Sequence, residues 1–256
     1  MSEKVQMFGI DFNPLTMSQT VSEVLSWTDE SEYRCRYVVT PNVDHVVKIQ
    51  SDQALRAAYK DAALVVVDGK PVLWASKILK PLPETVPGSD LCPALFDAAV
   101  NKTGVRVFLL GAAEGVAEKA AREITKRWPW ITVCGCFSPA MGFNALSTEN
   151  AKAIEMINRE KPDILLVGLG APKQEIWVHN MQQQLQVKVA LCVGASIDFL
   201  AGEKARAPRF MRAVGLEWLH RALSEPKRLM GRYWHDAKVF PGIVLKEVFF
   251  MYQGKN

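Results

Sequence analysis

The sequence predicts a doubly wound α/β fold, in which a mostly parallel sheet carries helices on both faces. Short apolar runs alternate with longer amphipathic segments over the first 200 residues, as they do in repeated βα units. Several of these runs end directly in glycine or a polar side chain, and open α/β sheets bind their ligands at such strand ends. The length of 256 residues suits one such domain with an appendage.

The predicted strands are seven apolar runs: 5–10, 37–40, 64–67, 105–111, 131–136, 164–168 and 187–193. Their continuous apolar character indicates strands that are buried on both faces. The predicted helices are the amphipathic segments around and between these runs: 21–27, 54–61, 91–101, 115–128, 148–159 and 174–185. Thr16, followed three residues later by Gln19, forms a capping box before the first helix, and Ser147 or Thr148 begins a later one.

The C-terminal fifth of the chain differs from the rest in charge. Residues 204–256 carry eleven Lys and Arg against four Asp and Glu, whereas the first 203 residues have a formal net charge of −3. We therefore divide the chain into a core, 1–200, and a basic appendage, 201–256. The appendage also contains many aromatic residues, a mixture that is typical of segments at a membrane surface. The alternative is that these aromatics pack the appendage onto the core or onto a second subunit.

Two apolar runs end in glycines. The strand 164–168 ends in Gly168, and Gly170 follows it, so the backbone amides of both can approach an anion. Lys173 and Gln174 come next, at a helix start. Gly111 ends the strand 105–111 in the same way and could approach a phosphate or a nucleoside. The alternative for both segments is a tight strand-to-helix turn that binds no ligand.

Polar side chains follow other predicted strands. Thr40 and Asn42 follow the strand 37–40, and Asp68 directly follows 64–67. A single carboxylate at a strand end can act as a general base whose pKa is raised by partial burial, although an Asp-Gly pair is also a common turn. Ser89 and Asp90 precede an apolar helix, so capping explains both residues unless they also contact a ligand. We attribute the neighbouring Asp44 and His45 to a helix start.

Several common sites are absent from the sequence. There is no Asp-x-Asp sequence, the four His are scattered, and the five Cys lack the spacing of metal ligands, so no metal site and no cofactor are predicted. Neither glycine segment has the Gly-x-Gly-x-x-Gly spacing of a dinucleotide site. No apolar run reaches the roughly 18 residues of a membrane span, and the start of the chain is not a secretory signal. We therefore expect the protein to stay in the cytoplasm.

Six segments, taken together and in order, resemble the WecG/TagA/CpsF glycosyltransferases: Thr40-Pro-Asn-Val-Asp44, Val67-Asp-Gly69, Pro87-Gly-Ser-Asp90, Gly168-Leu-Gly-Ala-Pro-Lys-Gln-Glu175, Val193-Gly-Ala-Ser-Ile-Asp-Phe199 and Ala207-Pro-Arg-Phe210 through Glu217-Trp-Leu-His-Arg221. The resemblance implies a Rossmann-like core with a C-terminal appendage. It also implies transfer of a sugar from a UDP-sugar to a polyprenyl-diphosphate-linked saccharide, in the synthesis of a cell-surface polysaccharide. The resemblance does not decide which sugar is transferred: N-acetylmannosamine, its uronate and glucose are the three alternatives.

The resemblance also implies roles for individual residues. Asp68 matches the proposed catalytic base. Thr40, Asn42 and Gln174 match residues that line the sugar and acceptor pocket, with Ser89 and Asp90 as further candidates. The arginines that close over the nucleotide diphosphate are best matched by Arg221, Arg228 and Arg232. Arginine suits this role because its planar fork binds phosphate bidentately.

The residues and the resemblance together support an inverting transfer with Asp68 as general base. The leaving UDP would be met by Lys173, by the amides of Gly111, Gly168 and Gly170, and by the appendage arginines. We expect a peripheral enzyme on the cytoplasmic face of the membrane, and we expect no nucleic acid partner. The sequence does not decide whether the protein forms a homo-oligomer. A nucleotide-dependent epimerase or oxidoreductase and a non-catalytic membrane scaffold are the alternatives. The first lacks its cofactor motifs, and the second does not explain polar residues at successive strand ends.

Overall fold

The computed structural model describes residues 3–102, 104–140, 142–208, 210–211 and 215–253. The strands are β1 (Val5–Met7), β2 (Ile10–Phe12), β3 (Arg36–Val39), β4 (Leu64–Val65), β5 (Val105–Gly111), β6 (Ile131–Phe137), β7 (Ile164–Gly168) and β8 (Val189–Cys192). The helices are α1 (Met17–Thr28), α2 (Val43–Ile49), α3 (Gln53–Asp61), α4 (Lys70–Leu79), α5 (Gly88–Ala98), α6 (Val116–Arg127), α7 (Thr148–Glu160), α8 (Lys173–Met181), α9 (Ser196–Leu200), α10 (Glu217–Ser224) and α11 (Pro226–Gln253).

Six strands form one sheet in the order β4-β3-β8-β7-β5-β6, and every neighbouring pair is parallel. From β3 the chain moves outward to β4 at one edge, and from β5 it moves outward to β6 at the other edge. The carboxyl ends of β3, β4 and β8 therefore lie side by side, with β8 filling the position between the two halves. In open α/β sheets this is the position where a crevice forms.

The sheet has a hydrophobic core on each face, as its alternating side chains require. Val39 and Val65 belong to one cluster of buried residues, whereas their neighbours Val38 and Leu64 belong to the other. Helices cover both clusters, so the predicted doubly wound α/β fold, Rossmann-like in its layers, is confirmed. The capping box at Thr16 and the helix start at Ser147 are confirmed as well.

The predicted strand at 5–10 is wrong, because this segment folds back on itself. β1 and β2 pair antiparallel as a separate hairpin, and Phe8 and Gly9 at its turn have φ of 57° and 75°. The apolar run hides the reversal, since only Gly9 marks it in the sequence. Asn13 joins the hairpin to the large sheet by exchanging hydrogen bonds of 2.8 and 2.9 Å with the backbone of Val65.

The C-terminal helix α11 runs for 28 residues and continues through Pro241, which gives a length of about 42 Å. Phe240, Ile243 and Val244 pack against the core, and the ring of Phe240 lies 5.9 Å from that of Phe8. Among the residues that the structure describes, no helix combines the length and apolarity needed to cross a membrane.

Gly111 ends β5 at a point where the chain has no room for a side chain. Its φ is +113°, and an added Cβ would lie 2.6 Å from the carbonyl carbon and oxygen of Gly168. We expect Gly111→Ala to lower the free energy of unfolding by about 2–4 kcal/mol, because strain and overlap with backbone add together. Gly9→Ala is the matched control, since its φ is +75° and an added Cβ meets no atom within 4 Å. Equal losses for the two variants in urea unfolding would show that the contact with Gly168 is unimportant.

Candidate functional site

A cavity of about 530 Å³ opens at the carboxyl ends of β3, β4 and β8. Its floor is formed by residues that come within four positions after these strands, among them Thr40, Asn42, Asp68 and Ser196. Its outer wall is formed by α10 and α11, which contribute Glu217, Trp218, Arg221, Tyr233, Asp236 and Phe240. The appendage therefore completes the cavity that the strand ends begin. Thr40, Asn42, Asp68, Ser89, Asp90 and Arg221 are the predicted site residues that line it.

Asp68 lies at the bottom of the cavity, three residues after β4. Its backbone amide donates a 2.8 Å hydrogen bond to the carbonyl of Pro41, which fixes the carboxylate beside the loop that follows β3. Burial is the largest cause that raises the pKa of Asp68, to about 6, and the charge of Glu217 adds to it. Arg221, His45 and a hydrogen bond from the Asn42 side chain act in the opposite direction. Asp68 is therefore ionised at neutral pH and a stronger base than an exposed aspartate.

Asn42 caps α2 and connects Asp68 to the protein interior. Its Oδ1 accepts a 3.1 Å hydrogen bond from the backbone amide of Asp44 and lies 2.9 Å from Nδ1 of His45. The Nε2 of His45 lies 3.2 Å from Oε1 of Glu175 on α8. The prediction that Asp44 and His45 belong to a helix start is confirmed, but His45 also has this second contact.

Gln174 is buried and does not line the cavity. Its Nε2 donates to Oε1 of Glu175 at 2.8 Å, and its Oε1 accepts from the backbone amide of Gly194 at 3.1 Å. Gly111, Gly168, Gly170 and Lys173 are likewise absent from the lining, and Lys173 is exposed. Their predicted contacts with a nucleotide stay predictions.

Ser89 and Asp90 reach the cavity and are held there by an arginine. Arg206 donates to Oδ1 of Asp90 at 2.6 Å, to Oγ of Ser89 at 3.1 Å and to the Ser89 carbonyl at 3.4 Å. The first turn of α5 has no side-chain cap, so capping does not account for these two residues. Arg206 links the segment after α9 to the start of α5 and so shapes one side of the cavity.

The three arginines predicted to close over the diphosphate differ in position. Arg221 projects from α10 into the cavity, close enough to Asp68 to lower its pKa. Arg232 lies on α11, with its Nη1 3.6 Å from Oδ2 of Asp44. Arg228 also belongs to α11, but its side chain lies outside the described part of the chain. Of the two whose side chains the structure describes, Arg221 lines the cavity and Arg232 does not.

A second acidic group with a raised pKa faces the cavity from α11. Burial and the charge of Asp44 raise the pKa of Asp236 to about 6, while Arg232, Lys48 and His235 lower it.

The sequence analysis did not single out three of the acidic residues described above, which are Asp236, Glu217 and Glu175. Of these three, only Glu175 could have been noticed in the sequence. It is a charged residue close to Trp177 and Val178, in a helix whose apolar residues are buried.

The cavity contains an aspartate at the strand ends, Asp68, that can accept a proton, and an arginine, Arg221, that can bind an anion. A hydroxyl placed at Asp68 could lose its proton there, while Arg221 stabilises negative charge on a second group. This combination suits the transfer of a group from a phosphate-containing donor to an alcohol.

The comparisons with known proteins agree with this chemistry. The Glycosyl transferase WecG/TagA/CpsF family matches residues 5–254. A protein of Staphylococcus aureus strain MRSA252, named N-acetylglucosaminyldiphosphoundecaprenol N-acetyl-beta-D-mannosaminyltransferase, is 35% identical over 228 residues, which cover 88% of this chain and 87% of the relative. A protein of the same name from strain MW2 is 34% identical over the same shares of the two chains. The chain is a glycosyltransferase and belongs to the WecG/TagA/CpsF family.

Proposed function

We propose that this protein transfers N-acetylmannosamine from a UDP-sugar to N-acetylglucosamine linked to a polyprenyl diphosphate, with inversion at the anomeric carbon. The observation that carries the proposal is the position of Asp68, a carboxylate at the bottom of a cavity that also contains Arg221. The names of the relatives support the two sugars and the lipid diphosphate.

In this mechanism Asp68 takes the proton from an acceptor hydroxyl. The acceptor oxygen forms a bond to the anomeric carbon of the donor, the bond from that carbon to the UDP oxygen breaks, and UDP leaves with the electron pair. One base and no covalent intermediate are sufficient for inversion. A carboxylate with a pKa of about 6 suits the step, because it is ionised at neutral pH and yet retains a useful affinity for a proton.

The leaving diphosphate needs positive charge, which we assign first to Arg221. Lys70, at the start of α4, also lines the cavity and could contact the same group. Arg232 pairs with Asp44, so its predicted role would need that pair to open. Within the described residues no group of three His, Cys, Asp or Glu is arranged as metal ligands.

The experiment that tests this proposal is UDP release by the purified full chain from a panel of UDP-sugars. Each donor is supplied with and without a short-chain polyprenyl-diphosphate N-acetylglucosamine, and a chelator is present throughout. We expect release that requires the acceptor and is fastest with UDP-N-acetylmannosamine. Faster release from the uronate or from the glucose donor would overturn the proposed donor. Loss of activity in the chelator that Mg²⁺ or Mn²⁺ restores would overturn metal independence.

We further propose that the appendage holds the protein on the cytoplasmic face of the membrane. The face of α11 that points away from the core carries Trp234, Phe249 and Phe250, which are 65%, 59% and 56% exposed. Lys238 and Lys246 lie over the rings of Trp234 and Phe250. Cationic side chains beside exposed aromatic rings suit the interface of an anionic bilayer.

Replacing Trp234, Phe249 and Phe250 together by Ser is expected to weaken binding to anionic phospholipid vesicles at least about ten-fold, because each ring loses apolar area that the bilayer would bury. Vesicle sedimentation measures the effect. Leu146→Ser is the matched control, since Leu146 is 95% exposed but lies before α7, outside the appendage. If the triple variant instead lowers the molar mass in light scattering and binds vesicles as wild type does, the exposed face belongs to a subunit interface.

A further inference from the structure

Four exposed apolar side chains come from two segments that meet at the edge of the cavity, α4 and the start of α10. They are Trp74, Ile78, Leu216 and Trp218, which are 49%, 66%, 37% and 44% exposed. We call this group the rim. Single exposed apolar residues are ordinary on a protein surface, whereas a group of them beside a ligand cavity marks a place where another molecule binds.

The two segments meet at Gly215, which itself lines the cavity. A Cβ added to Gly215 would lie 2.8 Å from Cη2 of Trp74 and 2.9 Å from Cβ of Lys70, so the backbone before α10 rests directly on α4. Only the backbone of Gly215 therefore separates the ring of Trp74 from the cavity. A ligand that leaves the cavity over Gly215 reaches this ring first.

The helix α4 carries an apolar stripe that leads away from the cavity. Lys70 lines the cavity, Trp74 follows about one turn later and Ile78 after a further turn, and residues four apart lie on the same face of a helix. The stripe from Lys70 to Ile78 is about 12 Å long. Val72 and Leu79 of the same helix are buried in the core, so the stripe is held on a well-packed element while its own surface faces solvent.

The other side of the rim is held in place by Trp218, which also lines the cavity. Its ring lies edge to face with the ring of Tyr233 on α11, at 6.1 Å between centroids. The neighbouring Glu217 lines the cavity too, and its charge helps to raise the pKa of Asp68. The polar residue of this segment is thus directed inward, and apolar residues on both sides of it remain at the edge.

The molecule that covers the rim must have an apolar part that extends out of the cavity. The acceptor of the proposed reaction has such a part, because its sugar and diphosphate are joined to a polyprenyl chain. Its sugar has to reach Asp68 at the bottom of the cavity, so its chain has to leave through the mouth. The UDP-sugar has no apolar chain that would follow this path. The acceptor is therefore the substrate whose shape and polarity match the rim.

We propose that the rim binds the polyprenyl chain of the acceptor, with the isoprene units next to the diphosphate lying along α4 from Trp74 to Ile78. The proposal rests on the proposed function in so far as the acceptor is a polyprenyl diphosphate. It differs from the membrane contact proposed for the exposed aromatic rings of α11, because the rim borders the cavity and contacts the substrate itself.

The test compares two soluble acceptors in the absence of vesicles: N-acetylglucosamine diphosphate with a farnesyl chain, and the same compound with a methyl group in its place. Wild type should have a KM at least about ten-fold lower for the farnesyl acceptor, because the rim buries apolar area of the chain. The double variant Trp74→Ala/Ile78→Ala should lose most of this difference through a higher KM for the farnesyl acceptor alone.

The methyl acceptor also controls for folding of the double variant. Alanine favours the helix, so α4 should persist, and the KM for the methyl acceptor and for the UDP-sugar should stay near wild type. A ratio of the two acceptor KM values that is the same as in wild type would overturn the proposal. So would equal losses with both acceptors, which would show a structural role.

Two single variants complete the comparison. Trp74→Phe keeps an aromatic ring and should retain most of the preference for the farnesyl acceptor. Val100→Ala is the matched control, since Val100 is 50% exposed but follows α5 at the end opposite to Gly88, the end that lines the cavity. If Val100→Ala lowered the preference as much as the double variant does, the rim would not be its source.

Vesicles form a further arm of the test. Lys77 is exposed on α4 and Lys80 directly after it, and cations beside apolar side chains also suit a bilayer surface. The double variant should nevertheless sediment with anionic phospholipid vesicles as wild type does. Weaker vesicle binding together with an unchanged ratio of acceptor KM values would assign the rim to the bilayer and overturn the proposal.

Calorimetric binding of farnesyl diphosphate and methyl diphosphate separates this proposal from the proposed function, because neither ligand carries a sugar and no transfer occurs. Wild type should bind farnesyl diphosphate at least about ten-fold more tightly, and the double variant should lose most of this advantage. Equal affinities of the double variant and wild type for farnesyl diphosphate would overturn the role of the rim, even if sugar transfer occurs as proposed. If no acceptor supports UDP release while the difference in binding is found, the proposed function fails instead.

Discussion

Asp68→Asn is expected to lower the rate of sugar transfer by about 10²–10⁴-fold while the affinity for UDP changes by less than about three-fold. The amide has nearly the shape of the carboxylate but cannot accept the proton of the acceptor hydroxyl. UDP affinity should persist because the groups that we assign to the diphosphate, Arg221 and Lys70, are unchanged. Single-turnover UDP release and calorimetric UDP binding measure the two quantities.

The same variant should be more stable than wild type above pH 6. The pKa of Asp68 in the folded protein is about 6, above its ordinary value of 3.8, so stability falls as pH rises between these two values and the loss persists at higher pH. An uncharged amide does not lose stability in this way as the pH rises. A higher Tm at pH 7.5 would also show that the variant folds. Weak UDP binding by a variant whose Tm is at or above that of wild type would contradict the assignment of Asp68 as base and place it at the nucleotide.

Arg221→Gln is expected to lower kcat/KM by about 10²–10³-fold, because a cation that stabilises the leaving diphosphate is lost from a partly buried site. The acid limb of the pH profile should also move upward, since Arg221 lowers the pKa of Asp68. Arg221→Lys keeps the charge and should leave the acid limb near pH 6 while losing the bidentate contact.

Arg159→Gln is the matched control for Arg221, because Arg159 is an exposed residue of α7 whose partner is Glu160 at 3.4 Å. Steady-state kinetics with varied UDP-sugar and varied pH measure both effects. If Arg221→Gln lost activity with no change in the acid limb, Arg221 would act on the substrate without influence on Asp68. If UDP bound as tightly to Arg221→Gln as to wild type and transfer were unaffected, the proposed contact with the diphosphate would be wrong.

Local patterns were sufficient to predict the sheet and to single out Asp68. The strands β5 and β7 were predicted with the bounds that the structure has, because continuous apolar runs between polar segments identify buried parallel strands. Asp68 could be singled out for a related reason, since a carboxylate directly after a strand lies at the edge of the sheet where ligands bind. The family resemblance was carried by segments of a few residues each and is confirmed over residues 5–254.

Other features could not be predicted, because they depend on how separate elements pack. The hairpin β1–β2 and the continuation of α11 through Pro241 are examples in which apolar composition was clear but the path of the chain was not. Arg232 was matched to the diphosphate through the family resemblance, and only the packing of α11 on α2 shows that it lies beside Asp44.

The sequence by itself determined the doubly wound sheet, the strand-end position of Asp68 and the family, since each of these depends on residues that are close together along the chain. Only the tertiary structure decided that α10 and α11 close the cavity and that His45 meets Glu175, which is 130 residues away. The physical reason is the strand order. With β8 between β3 and β7, the loops that follow β3 and β7 are brought to opposite sides of one strand end, and no local pattern specifies that neighbourhood.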